Sequence, residues 1–224
     1  MPSASENKPT VKQQREARRA EKVAQLKKKQ AAEKRKQRIG IGIAAGAAVV
    51  AVGLVVTFVV TNATPPVDRD TIDIADAQTF DGITANHVQG VVDYEAEYEM
   101  NPPAGGNHNQ VWLNCGVYEE PQQNENAVHS LEHGAIWVTY DPEALSDDEI
   151  ETLRDAVPST YAIVSPYEGL PSAVAVSGWG AQVQVDSVDD ERIEQFIQKY
   201  WKSPDVPEPG AACTGAIDGP GKLS

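Results

Sequence analysis

The chain has 224 residues, 19 Lys+Arg, 33 Asp+Glu and a net charge of −14. Two cysteines with no Cys-x-x-Cys pair argue against a thioredoxin-like redox role. The missing Gly-x-Ser-x-Gly argues against a serine nucleophile, and basic residues without aromatics or a binding motif argue against a nucleic-acid partner.

The charge is divided along the chain. Residues 1–38 carry +9 and the residues after 60 carry −23. Between them, Ile39 to Val60 is a 22-residue stretch without a charge, long enough to span a bilayer as a helix. The positive-inside rule then predicts a basic cytoplasmic arm over 1–38, a transmembrane helix over 39–60 and an extracytoplasmic remainder, so the protein is expected in the cell membrane as a single-pass protein. A cleavable signal peptide is the rival reading; its basic region would be too long, its apolar core exceeds the usual 7–15 residues, and no small-x-small site follows Val60. The arm, with only Val11, Val23 and Leu26 as apolar punctuation over Val11 to Arg38, reads as a solvated or membrane-surface segment.

A linker over 61–72, marked by Thr64-Pro65-Pro66, leads to a single predicted domain over 73–202, which holds all four Trp. Val88–Tyr94 and Val111–Tyr118 read as strands. Asn126–His133 reads as a short helix with Asn124 or Asn126 as N-cap and Gly134 as its stop. Ala135–Tyr140 is the clearest strand. Ser146-Asp147-Asp148-Glu149 is a capping box that opens a helix to about Val157. Short strands are predicted at Tyr161–Val164, Ala173–Val176 and Gln182–Val185, the last two paired around Gly178-Trp179-Gly180. Asp189–Trp201 reads as an amphipathic helix with Ile193, Phe196, Ile197 and Tyr200 on one side. The order predicts an α+β domain, a mixed β-sheet with helices packed on it. The tail over 203–224, rich in Pro and Gly, is predicted to be irregular.

All four histidines lie between His87 and His133. His129 and His133 are four apart, on one face of the predicted helix. With His108, delivered by the loop Pro102-Pro103-Ala104-Gly105-Gly106-Asn107, they form a candidate metal site, and His87 is a possible fourth ligand. Three or four imidazoles outside the cytoplasm suit copper, with zinc close behind. Glu132 is expected outside the ligand set, accepting from an imidazole N–H. Alternatively the histidines are separate polar core residues. The block His129-Ser130-Leu131-Glu132-His133 also fits the inverted zincin motif, in which Glu132 would be a general base, so a zinc-dependent hydrolase is the enzymatic alternative. Cys115 and Cys213 are expected to form one disulfide in an oxidising compartment; the rival reading makes Cys115 a thiolate ligand.

Several segments together resemble a known family. They are His87-Val88-Gln89-Gly90 with Val92 and Tyr94, then Asn101 to His108, then Trp112 with Gly116 and Tyr118, then Val128-His129-Ser130-Leu131-Glu132-His133-Gly134 leading to Tyr140, then Val164 to Pro171 and Ser177-Gly178-Trp179-Gly180. The family is the bacterial domain of unknown function 3105, whose members are often single-span proteins of Gram-positive bacteria. The resemblance covers roughly residues 80–202 and is most specific in the His-x-Leu-Glu-His-Gly block. It implies domain limits and the same histidines, but no reaction. The expected function is a membrane-anchored metal-binding protein, with an accessory role beside a larger envelope assembly such as a respiratory oxidase, or a purely structural subunit, as further readings.

Overall fold

The computed structural model describes residues 68–223 and scattered helical positions between 15 and 36. The chain divides into two units, Met1–Pro66 and Val67–Ser224, and the sheet, its helices and the histidines all belong to the second. Among the described residues no helix is long and apolar enough to cross a membrane; the expected anchor over 39–60 lies outside the described residues.

Six strands form one mixed sheet: β1 (Gln78–Thr79), β2 (Gly116–Val117), β3 (Ile136–Tyr140), β4 (Ala162–Pro166), β5 (Val174–Gly178) and β6 (Ala181–Val185), in the order β1-β6-β5-β3-β4-β2. β4 runs parallel to both β2 and β3, and the remaining pairs are antiparallel. The helices are α1 (Tyr94–Tyr98), α2 (Asn124–Glu132), α3 (Asp147–Ala156) and α4 (Glu191–Tyr200). The expected α+β class holds in this sheet and its helices.

β3 sits at the centre and is buried at every position, as a nearly unbroken apolar run requires when both faces are covered. Ile136, Val138 and Tyr140 face one core with Leu153 of α3 and Ile193 and Phe196 of α4. Trp137 points to the other face, where it packs with Ile163, Leu113, Tyr118 and Ala127 and Leu131 of α2. The period-2 alternation of a strand is what sends neighbouring residues to opposite sides. The capping box at Ser146 forms as expected, with Glu149 reaching back to the Ser146 backbone N–H. The hairpin of β5 and β6 turns at Trp179-Gly180.

Three expectations fail in the first half of the domain. Val88–Tyr94 is not a strand. Only an isolated bridge pairs His87 with His108, and Asp93 instead caps α1, accepting from the Ala96 N–H at 3.0 Å. Asp at that position offers the backbone a helical start that competes with extension. The strand expected over Val111–Tyr118 shrinks to β2, because Leu113 bridges Ile217 of the tail rather than a neighbouring strand. In α2 the N-cap is Gln123, without a side-chain cap, not Asn124 or Asn126; Asn126 is drawn away to donate to the Val111 carbonyl at 2.6 Å. Cys115 and Cys213 are joined in a disulfide, with Cα atoms 5.4 Å apart, so Cys115 is no thiolate ligand.

Candidate metal centre

The site is assembled from three pieces of chain. α2 brings His129 and Glu132, and His133 caps its C-terminus. The helix is buried from Glu125 to Glu132, which is unusual for a segment with two carboxylates and a histidine. It is anchored by its own polar groups: Glu125 accepts from the Val92 N–H at 2.8 Å, and Ser130 donates to the Leu113 carbonyl at 2.6 Å. Gly134, at φ +93°, ends the helix and lets the chain turn directly into β3.

The second piece is the loop that carries His108. Gln182 and Gln184 of β6 donate to the Pro102 and Asn101 carbonyls at 2.7 and 3.0 Å, and the Gly180 N–H donates to the Ala104 carbonyl at 2.7 Å. The loop is thereby fixed across the hairpin. Its paired glycines are required. Gly106 has φ +105°, and a Cβ there would lie 2.8 Å from the Tyr98 ring. The Tyr94 hydroxyl donates to the Asn107 carbonyl at 2.7 Å. The third piece is the segment of His87, paired with the loop by backbone hydrogen bonds from His108 N–H to Asn86 and from Val88 N–H to His108.

These pieces bring His87, His108, His129 and Glu132 together, with one ligand atom of each within 4.8 Å of all the others. Glu132 Oε2 lies 2.9 Å from His108 Nε2, 3.8 Å from His87 Nε2 and 3.9 Å from His129 Nε2. A zinc tetrahedron with bonds of 2.0–2.1 Å has edges of about 3.3–3.4 Å, so these separations bracket what an ion needs. His108 is fully buried, and the side chains of His129 and Glu132 are each 4% exposed, whereas that of His87 is 45% exposed. One side of the group therefore meets solvent. Trp179 stands edge-on to His108, and Trp112 edge-on to His129 and His133.

Each buried imidazole is oriented from behind. His108 Nδ1 is 2.8 Å from the Gly106 carbonyl, His129 Nδ1 is 2.7 Å from the Asn109 carbonyl, and His133 Nδ1 is 2.6 Å from the Ala212 carbonyl. A carbonyl can only accept, so each Nδ1 carries the proton. In a neutral ring that leaves the Nε2 lone pair free. Burial pushes the His129 imidazole down to about 4, which keeps it neutral at ordinary pH.

His108 Nε2 and Glu132 Oε2 are both buried with no hydrogen-bond partner. Their 2.9 Å approach brings the groups together without the direction of a hydrogen bond. Two buried acceptors at that distance repel unless a cation lies between them, and leaving them unmet costs a few kcal/mol.

The structure thus places Glu132 among the imidazole nitrogens rather than behind one of them. His133, four residues from His129, has its ring 4.6 Å from that of His129, yet it belongs to a different group, with His129 and Glu208. No sequence motif points to Glu208. It lies in the irregular tail, five residues before Cys213, and the disulfide is the one sequence signal that ties the tail to this region.

Residues 90–215 match the model of a family described as protein of unknown function (DUF3105). The matched range begins after His87 and takes in Glu208 and Cys213. No curated protein and no solved structure matches the chain.

Proposed function

The chain belongs to this family, whose function is unknown, and from the geometry of its own side chains we propose that it is a metal-binding protein whose ion is held by His87, His108, His129 and Glu132. The observation that carries this is the pair of buried, unpartnered acceptors, His108 Nε2 and Glu132 Oε2, 2.9 Å apart. Backbone carbonyls that take the Nδ1 protons prepare His108 and His129 as Nε2 ligands, the arrangement that metal-ligating histidines commonly need. The rival without metal is a purely structural cluster in which the imidazoles are hydrogen-bonded core groups.

Imidazole nitrogens with one hard carboxylate oxygen favour zinc or copper(II) over copper(I), which prefers thiolate or thioether sulfur. No sulfur belongs to the group. With Glu132 as a ligand, no carboxylate of this group is left to act as general base, which weighs against the zinc hydrolase reading. The full-length chain, purified from the membrane fraction, should carry or take up at least one equivalent of zinc or copper by elemental analysis. No bound metal, even after reconstitution with both ions, would leave only the structural cluster.

We place the domain outside the cytoplasm on the end of a single-pass anchor. The +9 arm, the uncharged stretch over 39–60 and the −23 remainder support that orientation, and the Cys115–Cys213 bridge suits an oxidising compartment. Protease added to intact spheroplasts should digest the domain and spare the arm; a protected domain would defeat the orientation.

A further inference from the structure

His133 is the histidine left out of the group formed by His87, His108, His129 and Glu132. Its side chain is 3% exposed, and its Nδ1 donates to the Ala212 carbonyl, so its Nε2 is directed forward, 3.3 Å from Glu208 Oε2. The ligand atoms of His129, His133 and Glu208 lie within 4.8 Å of one another. We propose that His133 and Glu208 form a second, outer cation station, for a divalent transition ion, that shares His129 with the inner centre. The proposal rests on the reading of the inner group as a metal centre.

The outer station has the construction of the inner one. A buried imidazole is fixed from behind by a backbone carbonyl, and a carboxylate stands in front of its free nitrogen. Glu208 is held in place by its own backbone, which donates to the Glu132 carbonyl at 3.2 Å. The Cys213 bridge and the backbone bond from Cys115 N–H to the Cys213 carbonyl at 2.7 Å fix the chain just beyond Ala212. Trp112 walls the two stations together, its ring edge-on to both His129 and His133. Each station meets solvent through one half-exposed side chain, Glu208 in the outer and His87 in the inner, whereas His108 is sealed.

His129 decides how the stations relate. Its Nδ1 is committed to the Asn109 carbonyl, so it has one free nitrogen and can ligate one ion at a time. When the inner group takes His129, the outer station keeps only His133, Glu208 and solvent. Two equivalents therefore bind with unequal strength. The first fills the inner group, and the second is held at the outer station by two protein ligands. An ion held at the outer station can be passed inward through His129 without leaving protein ligands.

The test is a titration of the metal-free full-length chain with zinc, followed by calorimetry, and with cobalt(II), followed by its visible absorption. The parent should show two steps. Glu208→Gln and His133→Gln should each weaken the second step by more than about tenfold while leaving the first within about threefold; Glu208→Gln changes a half-exposed side chain by one atom, so its fold is retained. A parent with one step only, or a second step untouched by Glu208→Gln, overturns the outer station while leaving the inner centre standing. A parent that binds neither ion overturns both readings at once.

Discussion

Replacing His129 by Ala should reduce zinc or copper(II) affinity by more than about a hundredfold, beyond the range found for groups that merely orient a ligand. His129 is the residue that both groups need, its side chain is 4% exposed, and its one free nitrogen faces Glu132 across 3.9 Å. His108→Ala should act on the inner centre to a similar extent, because it removes the nitrogen closest to the carboxylate. Glu132→Gln should cause a loss of the same order, since it removes the charge that offsets the ion as well as a ligand atom. His87→Ala should cost least of the four, because the 45% exposed side chain can be replaced by water. Competition with a chromophoric chelator measures all of these. If His129→Ala holds either ion within threefold of the parent, the metal centre is wrong and the imidazoles are hydrogen-bonded core groups.

The same variant isolates an acid-stability term in the metal-free chain. His129 is pushed down to about 4 in the fold by burial, while the unfolded ring titrates near its ordinary 6.5. Between those values the unfolded state binds the extra proton. The stabilisation from a neutral His129 is therefore fully present above pH 6.5 and is lost as pH falls toward 4. His129→Ala should flatten the fall in denaturation free energy over that window. An unchanged slope would mean that the ring takes up its proton without opposition from the fold.

Much of the scaffold for these effects is legible in the sequence, because it is built from local rules. The Ser146 box needs only a hydroxyl and a carboxylate three residues apart. β3 needs only a run of apolar and aromatic residues between Gly134 and Asp141-Pro142. The hairpin of β5 and β6 needs two short strands about Trp179-Gly180. Where local rules compete, the sequence misleads. Val88–Tyr94 has the composition of a strand, but Asp93 and the backbone of the next turn favour α1.

The site is legible as a set of residue types and not as a geometry. Spacing puts His129 and His133 on neighbouring positions of one helix, and their rings are indeed 4.6 Å apart. Which way each Nε2 points depends on which carbonyl meets its Nδ1, and those carbonyls come from Asn109 and Ala212, far away in the chain. No helical periodicity contains that information. Glu132 is similar: its burial among three imidazoles depends on the His108 loop folding over the hairpin, a contact set by Gln182 and Gln184. Glu208 sits in a Pro- and Gly-rich tail that reads as spacer until the disulfide draws it back.

The second large effect should come from that disulfide. Replacing Cys115 and Cys213 together by Ala should lower stability by roughly 4–5 kcal/mol in the chain-entropy model, because the bridge spans a sequence separation of 98. Reduction of the parent should give a mobility shift under denaturing conditions, and two freely alkylated thiols without reductant would rule the bridge out. The loss should not be uniform. The tail contributes the Ala212 carbonyl that orients His133 and the Glu208 carboxylate in front of it, whereas the His108 loop is fixed independently by β6 and the hairpin turn. In the double variant, under conditions where the domain remains folded, the second zinc step should weaken by more than about tenfold while the first is retained. Equal weakening of both steps would mean that the bridge acts on the domain as a whole. Selective loss of the second would place the outer station, and not the inner centre, under the control of the cysteine pair.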